Sequence, residues 1–216
     1  MILLEKMIRY EEGAVMKKYV ISISRQFGSL GRPIAKKLSE LLNINYYDRE
    51  IVDKVAKKHN LSIKEVSDLE EKAMGGFGFM KFPLGTGTNS AQDGIFEAES
   101  MIIRELAEKE SCIIVGRCAD AILEDNPDHI SIFIYAPYED RIVNCVNDLG
   151  MDTKSAKKMI TEVDRARDAY HMRYAKYLPN DINHIDLMIN SGTFGVNQTA
   201  IFLAQIIKER FSDTNA

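Results

Sequence analysis

Five short apolar runs alternate with helix-patterned segments along this chain, and that alternation constrains the fold more than any other feature. The runs are Tyr19–Ser24 (YVISIS), Asn45–Asp48 (NYYD), Cys112–Val115 (CIIV), Ile130–Tyr135 (ISIFIY) and Ile185–Asn190 (IDLMIN). Each has the length of a strand buried on both faces. Between the first two, Gly31–Leu42 carries Ile34, Ala35, Leu38, Leu41 and Leu42 at helical spacing, and Glu50–Lys58 then carries Ile51, Val52, Val55 and Ala56. Ser62, with Glu65 three residues later, forms a capping box for a helix ending near Lys72. Further helices are expected over Ile95–Lys109, Tyr138–Leu149 and Val196–Phe211. Asp152–Tyr177 reads as a long charged helical region broken in its middle. Such a pattern specifies an α/β fold with a parallel sheet covered on both faces. Ligands of these sheets bind beyond the carboxyl ends of the strands, so the residues just after each run are the ones to interrogate.

Composition excludes several functional classes. The chain has 216 residues, 45% hydrophobic and 28% charged, which suits one globular domain. Its 28 Lys+Arg against 32 Asp+Glu give a net charge of −4, which argues against a nucleic-acid binder, whose affinity rests on neutralising phosphates. No apolar run approaches the roughly 18–20 residues of a membrane span, and MILLEKMIRYEEG is not a signal peptide. Cys112, Cys118 and Cys145 form no CxxC pair and read as reduced thiols of a cytoplasmic protein. Glu11-Glu12-Gly13 is what a purine-rich ribosome-binding site encodes when read in frame, a few codons before Met16-Lys17-Lys18. Residues 1–15 are therefore expected to be an extension or a mis-called start, with residues 16–216 forming the domain. Six of the thirteen glycines lie between Met74 and Gly94, among Phe77, Phe79 and Phe82. A mobile loop is expected there, of the kind that serves as a lid or a binding loop.

The first strand runs into Ser24-Arg25-Gln26-Phe27-Gly28-Ser29-Leu30-Gly31-Arg32-Pro33. Gly28 and Gly31 allow a tight turn, and the following helix points its positive end at the loop. Pro33 loses no helical hydrogen bond in the first turn. Ser24 and Ser29 add hydroxyls, Arg25 and Arg32 add charge, and the whole reads as a phosphate cradle. Two traditions compete for it. A dinucleotide fingerprint needs G-x-G-x-x-G, of which only the last two glycines are present, although Asp48 stands roughly where a ribose-binding acid belongs. A P-loop needs G-x-x-x-x-G-K-[ST], and this loop lacks the lysine. The distal half helps to choose: Gly116-Arg117 follows the third strand, and Arg141, Asp164, Arg165, Arg167 and Arg173 lie on later helices. So many arginines suit an enzyme that clamps several phosphates better than an NAD(P)-dependent oxidoreductase. Tyr170, Tyr174 and Tyr177 fall on a helical stripe and read as packing. His59, His129, His171 and His184 have no metal-ligand spacing.

Taken in order, ISRQFGSLGRPIAKKLSELL, YYDREIV, IIVGRCAD and DRARDAYHMRYAKY resemble the cytidylate kinase-like family of nucleoside monophosphate kinase-type P-loop proteins, from about Lys17 to Phe211. The resemblance implies a three-layer P-loop nucleoside-triphosphate hydrolase-type fold with a five-stranded parallel sheet and a helical lid over 152–178. It implies phosphoryl transfer from ATP–Mg²⁺ to a nucleoside monophosphate, CMP or dCMP first. By the same resemblance Ser24, Gly28, Ser29, Gly31 and Arg32 would hold ATP. Asp48 and Arg117 would meet the acceptor, with Arg141 and Arg173. Arg25, Arg32, Arg165 and Arg167 would stabilise transferring charge. The partners implied are a nucleotide or small-molecule substrate, with no nucleic acid and no membrane. Aligned through Ala35, Gly31 stands where an intact P-loop has its lysine, Arg32 replaces the metal-binding Ser/Thr, Leu30 the last glycine and Arg25 the first. Cys118 occupies a position where a cytidylate kinase is expected to show an acid. These departures identify no metal ligand and keep a second reading open, a non-catalytic nucleotide-binding module.

Overall fold

The computed structural model describes residues 17–48 and 90–212. The expected helices over Glu50–Lys58 and Ser62–Lys72, most of the glycine-rich segment and the N-terminal fifteen residues lie outside them. All five expected strands form: β1 (Val20–Arg25), β2 (Asn45–Tyr47), β3 (Cys112–Val115), β4 (His129–Tyr135) and β5 (Leu187–Asn190). Every pairing is parallel and the order is β2-β3-β1-β4-β5. The central strand β1 is fixed against both neighbours, Val20 opposite Cys112 on one side and His129 on the other.

Helices cover both faces, as near-continuously apolar strands require. On one face α1 (Gly31–Leu42) and the closing helix pack Ile34, Leu38, Leu203, Ile207 and Phe211 against Ile21, Ile23, Ile132 and Ile134. On the other, α2 (Ser90–Lys109) and the short α3 (Ala119–Ile122) set Ile102, Ile103, Leu106 and Ile122 against Val20 and Ile114. The alternation of Val20 with Ile21 across the pleat sends consecutive residues into different cores. A third, smaller cluster joins α4 (Tyr138–Leu149) and α5 (Thr153–Tyr174) through Ile142, Cys145, Ala156, Ile160 and Val163, and Phe27 of the loop after β1 inserts into it.

Three helices differ from expectation. Helix α2 begins at Ser90 rather than Ile95. Helix α5 is unbroken: Asp152 caps it by accepting the Ser155 N–H, no Gly or Pro interrupts it, and Ala156, Ile160, Val163 and Tyr170 keep burying one face along its length. The opposed directions of Arg165 and Arg167 reflect two sides of one continuous helix. The closing helix α6 (Ser191–Phe211) starts directly after β5 rather than at Val196, with a kink at Gly195, whose φ of 67° and ψ of 177° are not helical.

The strand order also overturns the dinucleotide alternative. A ribose-binding acid at the end of β2 serves a cofactor at β1 only when those strands are adjacent, as in the order 3-2-1-4-5-6. Here β3 lies between them.

Candidate functional site

The turn between β1 and α1 is held by groups from three other elements. Gln26 N–H donates to the Ile134 carbonyl at 3.0 Å, and the Gln26 side-chain oxygen accepts from Ala136 N–H at 3.3 Å. The fully buried Ser29 hydroxyl is within 2.9 Å of the Gln26 carbonyl and 3.1 Å of that of Ile134. Ser191 at the start of α6 donates to the Ser29 carbonyl at 2.7 Å. Gly28 has φ +78°, and a Cβ there would stand 2.8 Å from the Arg141 carbonyl, so the loop lies directly on α4. Asn144 of α4 donates to the Gly28 carbonyl at 2.8 Å. Leu30 takes φ 58° just before α1. A left-handed leucine costs roughly 1–2 kcal/mol, and packing of its side chain against the first core offsets it.

Helix α5 grips the same turn. Phe27 N–H donates to Asp164 Oδ1 at 2.7 Å, Arg141 pairs with Asp164 Oδ2 and reaches the Phe27 carbonyl at 3.3 Å, and Arg167 donates to the Arg25 carbonyl at 2.8 Å. In front of the turn opens a cavity bordered by Arg25, Gly28, Gly31, Arg32, Asn144 and Arg167. The first-turn N–H groups of α1 have no acceptor within the helix and add the helix's positive end to this wall. Positive charge is dense. Burial holds the Arg25 guanidinium down at about 10, the charges of Arg32 and Arg117 adding to that effect and Asp48 opposing it. Burial, then the Arg25 charge, holds Arg167 well below the usual arginine value. Arg32 Nε lies 2.5 Å from Asp48 Oδ2, which also receives the Tyr46 hydroxyl at 3.3 Å. Burial and that carboxylate push the Tyr46 phenol up to about 12.

Beyond β3 the backbone passes through three successive left-handed residues, Gly116 (φ 73°), Arg117 (φ 64°) and Cys118 (φ 50°). Strain of this kind persists only where the surroundings hold it. Arg117 is nearly buried and its Nη1 donates to Glu99 Oε1 at 2.9 Å, while Tyr170 of α5 donates to Glu99 Oε2 at 3.0 Å. Cys118 is buried, and burial pushes its thiol far up, so it is a small packing residue there.

Of the residues expected from the sequence, the fold brings Arg25, Gly28, Gly31, Arg32 and Arg167 around one cavity, with Asp48 joined to it through Arg32. Ser24 sits half-buried on β1 opposite Phe133, and Ser29 is turned inward. Arg141 lies behind the loop as its brace. Arg165 is exposed on the far side of α5, and Arg173 pairs with Asp93 at 2.8 Å near the helix end. Tyr170 is buried and Tyr174 stacks on Phe96 with ring centroids 4.0 Å apart, as a packing stripe should. Sequence reasoning missed Glu99, Asn144, Gln26 and Ser191. Each acts through long-range hydrogen bonds, and no spacing rule marks them.

A cytidylate kinase-like family model matches residues 20–193, most of the chain and every strand. The chain belongs to the cytidylate kinase-like family. Within this cytidylate kinase-like chain the match begins at β1 and ends just inside α6, so it includes the loop, the cavity and α5. An uncharacterized protein from Eubacterium ventriosum is 31% identical with a TM-score of 0.69, covering 89% of this chain and 100% of that one. Shikimate kinases share the fold at lower identity. That of Acinetobacter baumannii, in complex with shikimate, is 13% identical with a TM-score of 0.52, covering 90% of this chain and 96% of that one. That of Bacteroides thetaiotaomicron is 14% identical with the same TM-score, covering 90% and 98%. A search of curated proteins gives no significant match. The family match supports a kinase-type phosphotransferase, and the shikimate kinases share the fold. Among the described residues no helix is long and apolar enough to cross a membrane.

Proposed function

We propose that the chain transfers a phosphoryl group from ATP to a nucleoside monophosphate, with CMP or dCMP the first acceptors to test. The observation that carries this reading is the cationic cavity at the junction of β1 and α1, where Arg25, Arg32 and Arg167 border a glycine turn. The turn and the α1 N-terminus would hold the triphosphate. Asp48 and Arg117, at the ends of the two neighbouring strands, would address the acceptor, Arg117 by its phosphate. An acceptor phosphate oxygen is already anionic near neutral pH, so the reaction needs no strong base. Positioning and positive charge do the work, and the arginines act where charge develops on the transferring group. Movement of α5, which touches the loop through Asp164 and Arg167, would exclude water.

The fit differs between the two groups that such kinases use. The cavity suits ATP phosphates. Mg²⁺ is another matter: Arg32 stands at the position of the metal-binding hydroxyl and is ion-paired with Asp48, and Ser29 is spent on backbone carbonyls. Among the described residues no cluster of three His, Cys, Asp or Glu side chains offers a metal site either.

That same Arg32–Asp48 pair favours a second reading, a module that binds nucleotide without turnover. Thermal-shift measurements against ATP, NAD(P) and a panel of monophosphates, followed by a coupled ADP-release assay, separate the two. Stabilisation by ATP and a monophosphate with ADP release supports the kinase. Stabilisation without release at any Mg²⁺ concentration supports the module, and a shift with NAD(P) alone overturns both.

A further inference from the structure

We propose that Arg25 supplies the phosphate-site cation that the loop lacks at position 31, its side chain crossing from the first position of the loop into the space a lysine at 31 would enter. The proposal rests on the reading of the cavity as an ATP site. Relative to a P-loop the two positions have exchanged roles: a glycine is replaced by Arg25 and a lysine by Gly31.

The geometry ties the two positions together. A Cβ at Gly31 would stand 2.8 Å from Arg25 Cβ, 2.9 Å from its Cγ and 3.8 Å from its Cδ, so no side chain fits at 31 while the Arg25 stem is there. Gly31 is not left-handed, and nothing in its own backbone asks for glycine. Gly31 opens α1, and what its missing side chain clears is the Arg25 stem. The head of the side chain meets a second glycine: Arg25 Nη1 is the nearest atom to the site of the missing Gly116 Cβ. Gly31 and Gly116 thus form a channel that leads one guanidinium from the loop to the end of β3.

The charges point the same way. Arg32, the other cation that could replace the lysine, is paired with Asp48 and nearly half exposed. Among the described residues no carboxylate lies within ion-pair distance of the Arg25 guanidinium, and Asp48 acts on it only from farther away. A half-buried cation with no ion-pair partner among the described residues has lost hydration that an entering anion restores. Arg167 holds the Arg25 carbonyl and so fixes where that side chain starts.

The test compares ATP affinity by isothermal titration for the full chain and for Arg25→Gln, Arg25→Lys, Arg25→Gly, Gly31→Lys and the Arg25→Gly/Gly31→Lys double variant. Urea midpoints report folding for each. Arg25→Gln and Arg25→Gly are expected to weaken ATP binding about tenfold or more, a single charge-assisted contact being worth about 1.5–3 kcal/mol. Arg25→Lys should retain more affinity than Arg25→Gln. Gly31→Lys alone should lose affinity or stability by collision with the Arg25 stem, and the double variant should recover most of both. Wild-type affinity in Arg25→Gln, or Arg25→Lys no better than Arg25→Gln, overturns the assignment even where the double variant fails to fold. ATP binding that depends on Arg25 without ADP release supports the assignment and fails the kinase reading. A wild-type chain that binds no ATP overturns both.

Discussion

Asp164 on α5 accepts the backbone N–H of Phe27 at 2.7 Å. One carboxylate thereby ties the long helix to the turn between β1 and α1, while its other oxygen neutralises Arg141, whose side chain is 10% exposed. The bond links two segments 137 residues apart and makes the position of α5 a determinant of loop shape.

Asp164→Asn should keep the size of the side chain and leave Arg141 without its counter-charge. Breaking a buried pair from one side costs about 3–5 kcal/mol, and the partial exposure of Asp164 places this one near the lower end. Urea denaturation should show the midpoint falling with an unchanged slope, and ATP affinity should fall with it. A variant as stable as the parent would show that the pair contributes nothing.

Glu99 is 1% exposed and holds both Arg117 and Tyr170. Glu99→Gln should therefore be destabilising, by about 3 kcal/mol. Arg117→Ala should impair monophosphate binding more than ATP binding, as separate titrations with the two nucleotides will report. Equal loss of both would count against an acceptor role for Arg117.

Gly28 combines φ +78° with close contact to Arg141. Gly28→Ala should cost about 1–3 kcal/mol, through left-handed strain and overpacking together. Gly150→Ala provides the control: its φ of +63° carries the same kind of strain, but no atom lies within 4 Å of its missing Cβ. The thermal midpoint should drop more for Gly28→Ala, and the reverse order would refute the packing contribution.

His171 Nε2 lies 2.7 Å from Asp120 Oδ2, and its Nδ1 lies 2.8 Å from the Tyr177 carbonyl. Burial opposes protonation of the ring, but the hydrogen bond and charge of Asp120 outweigh it and raise the pKa above the usual histidine value. A raised folded-state pKa contributes stability that is fully present below about 6.5, the unfolded value, and is lost as pH rises through the folded one. Denaturation midpoints should decline across that window in the parent protein. In His171→Gln the decline should shrink, and an identical pH profile would exclude His171 as its source.

The sheet was legible because its strands are apolar runs bounded by helical periodicity, and burial on both faces leaves few alternatives for CIIV or ISIFIY. The glycine turn was legible for a similar local reason: Gly28 and Pro33 act on the backbone of their own segment. The presumed break in Asp152–Tyr177 was misleading because charges on opposite sides of a helix do not interrupt it, whereas the buried stripe from Ala156 to Tyr170 sustains it. The functions of individual arginines were not legible. Arg141, Arg117 and Arg25 look alike in sequence, yet the first braces a loop, the second is locked to Glu99 and the third runs past Gly31 to Gly116. By itself the sequence determined the parallel α/β layering and the place of the glycine turn, since periodicity and backbone preference are properties of contiguous residues. Only the tertiary structure decided which cations meet there, because the partner that holds or frees a guanidinium comes from a distant part of the chain.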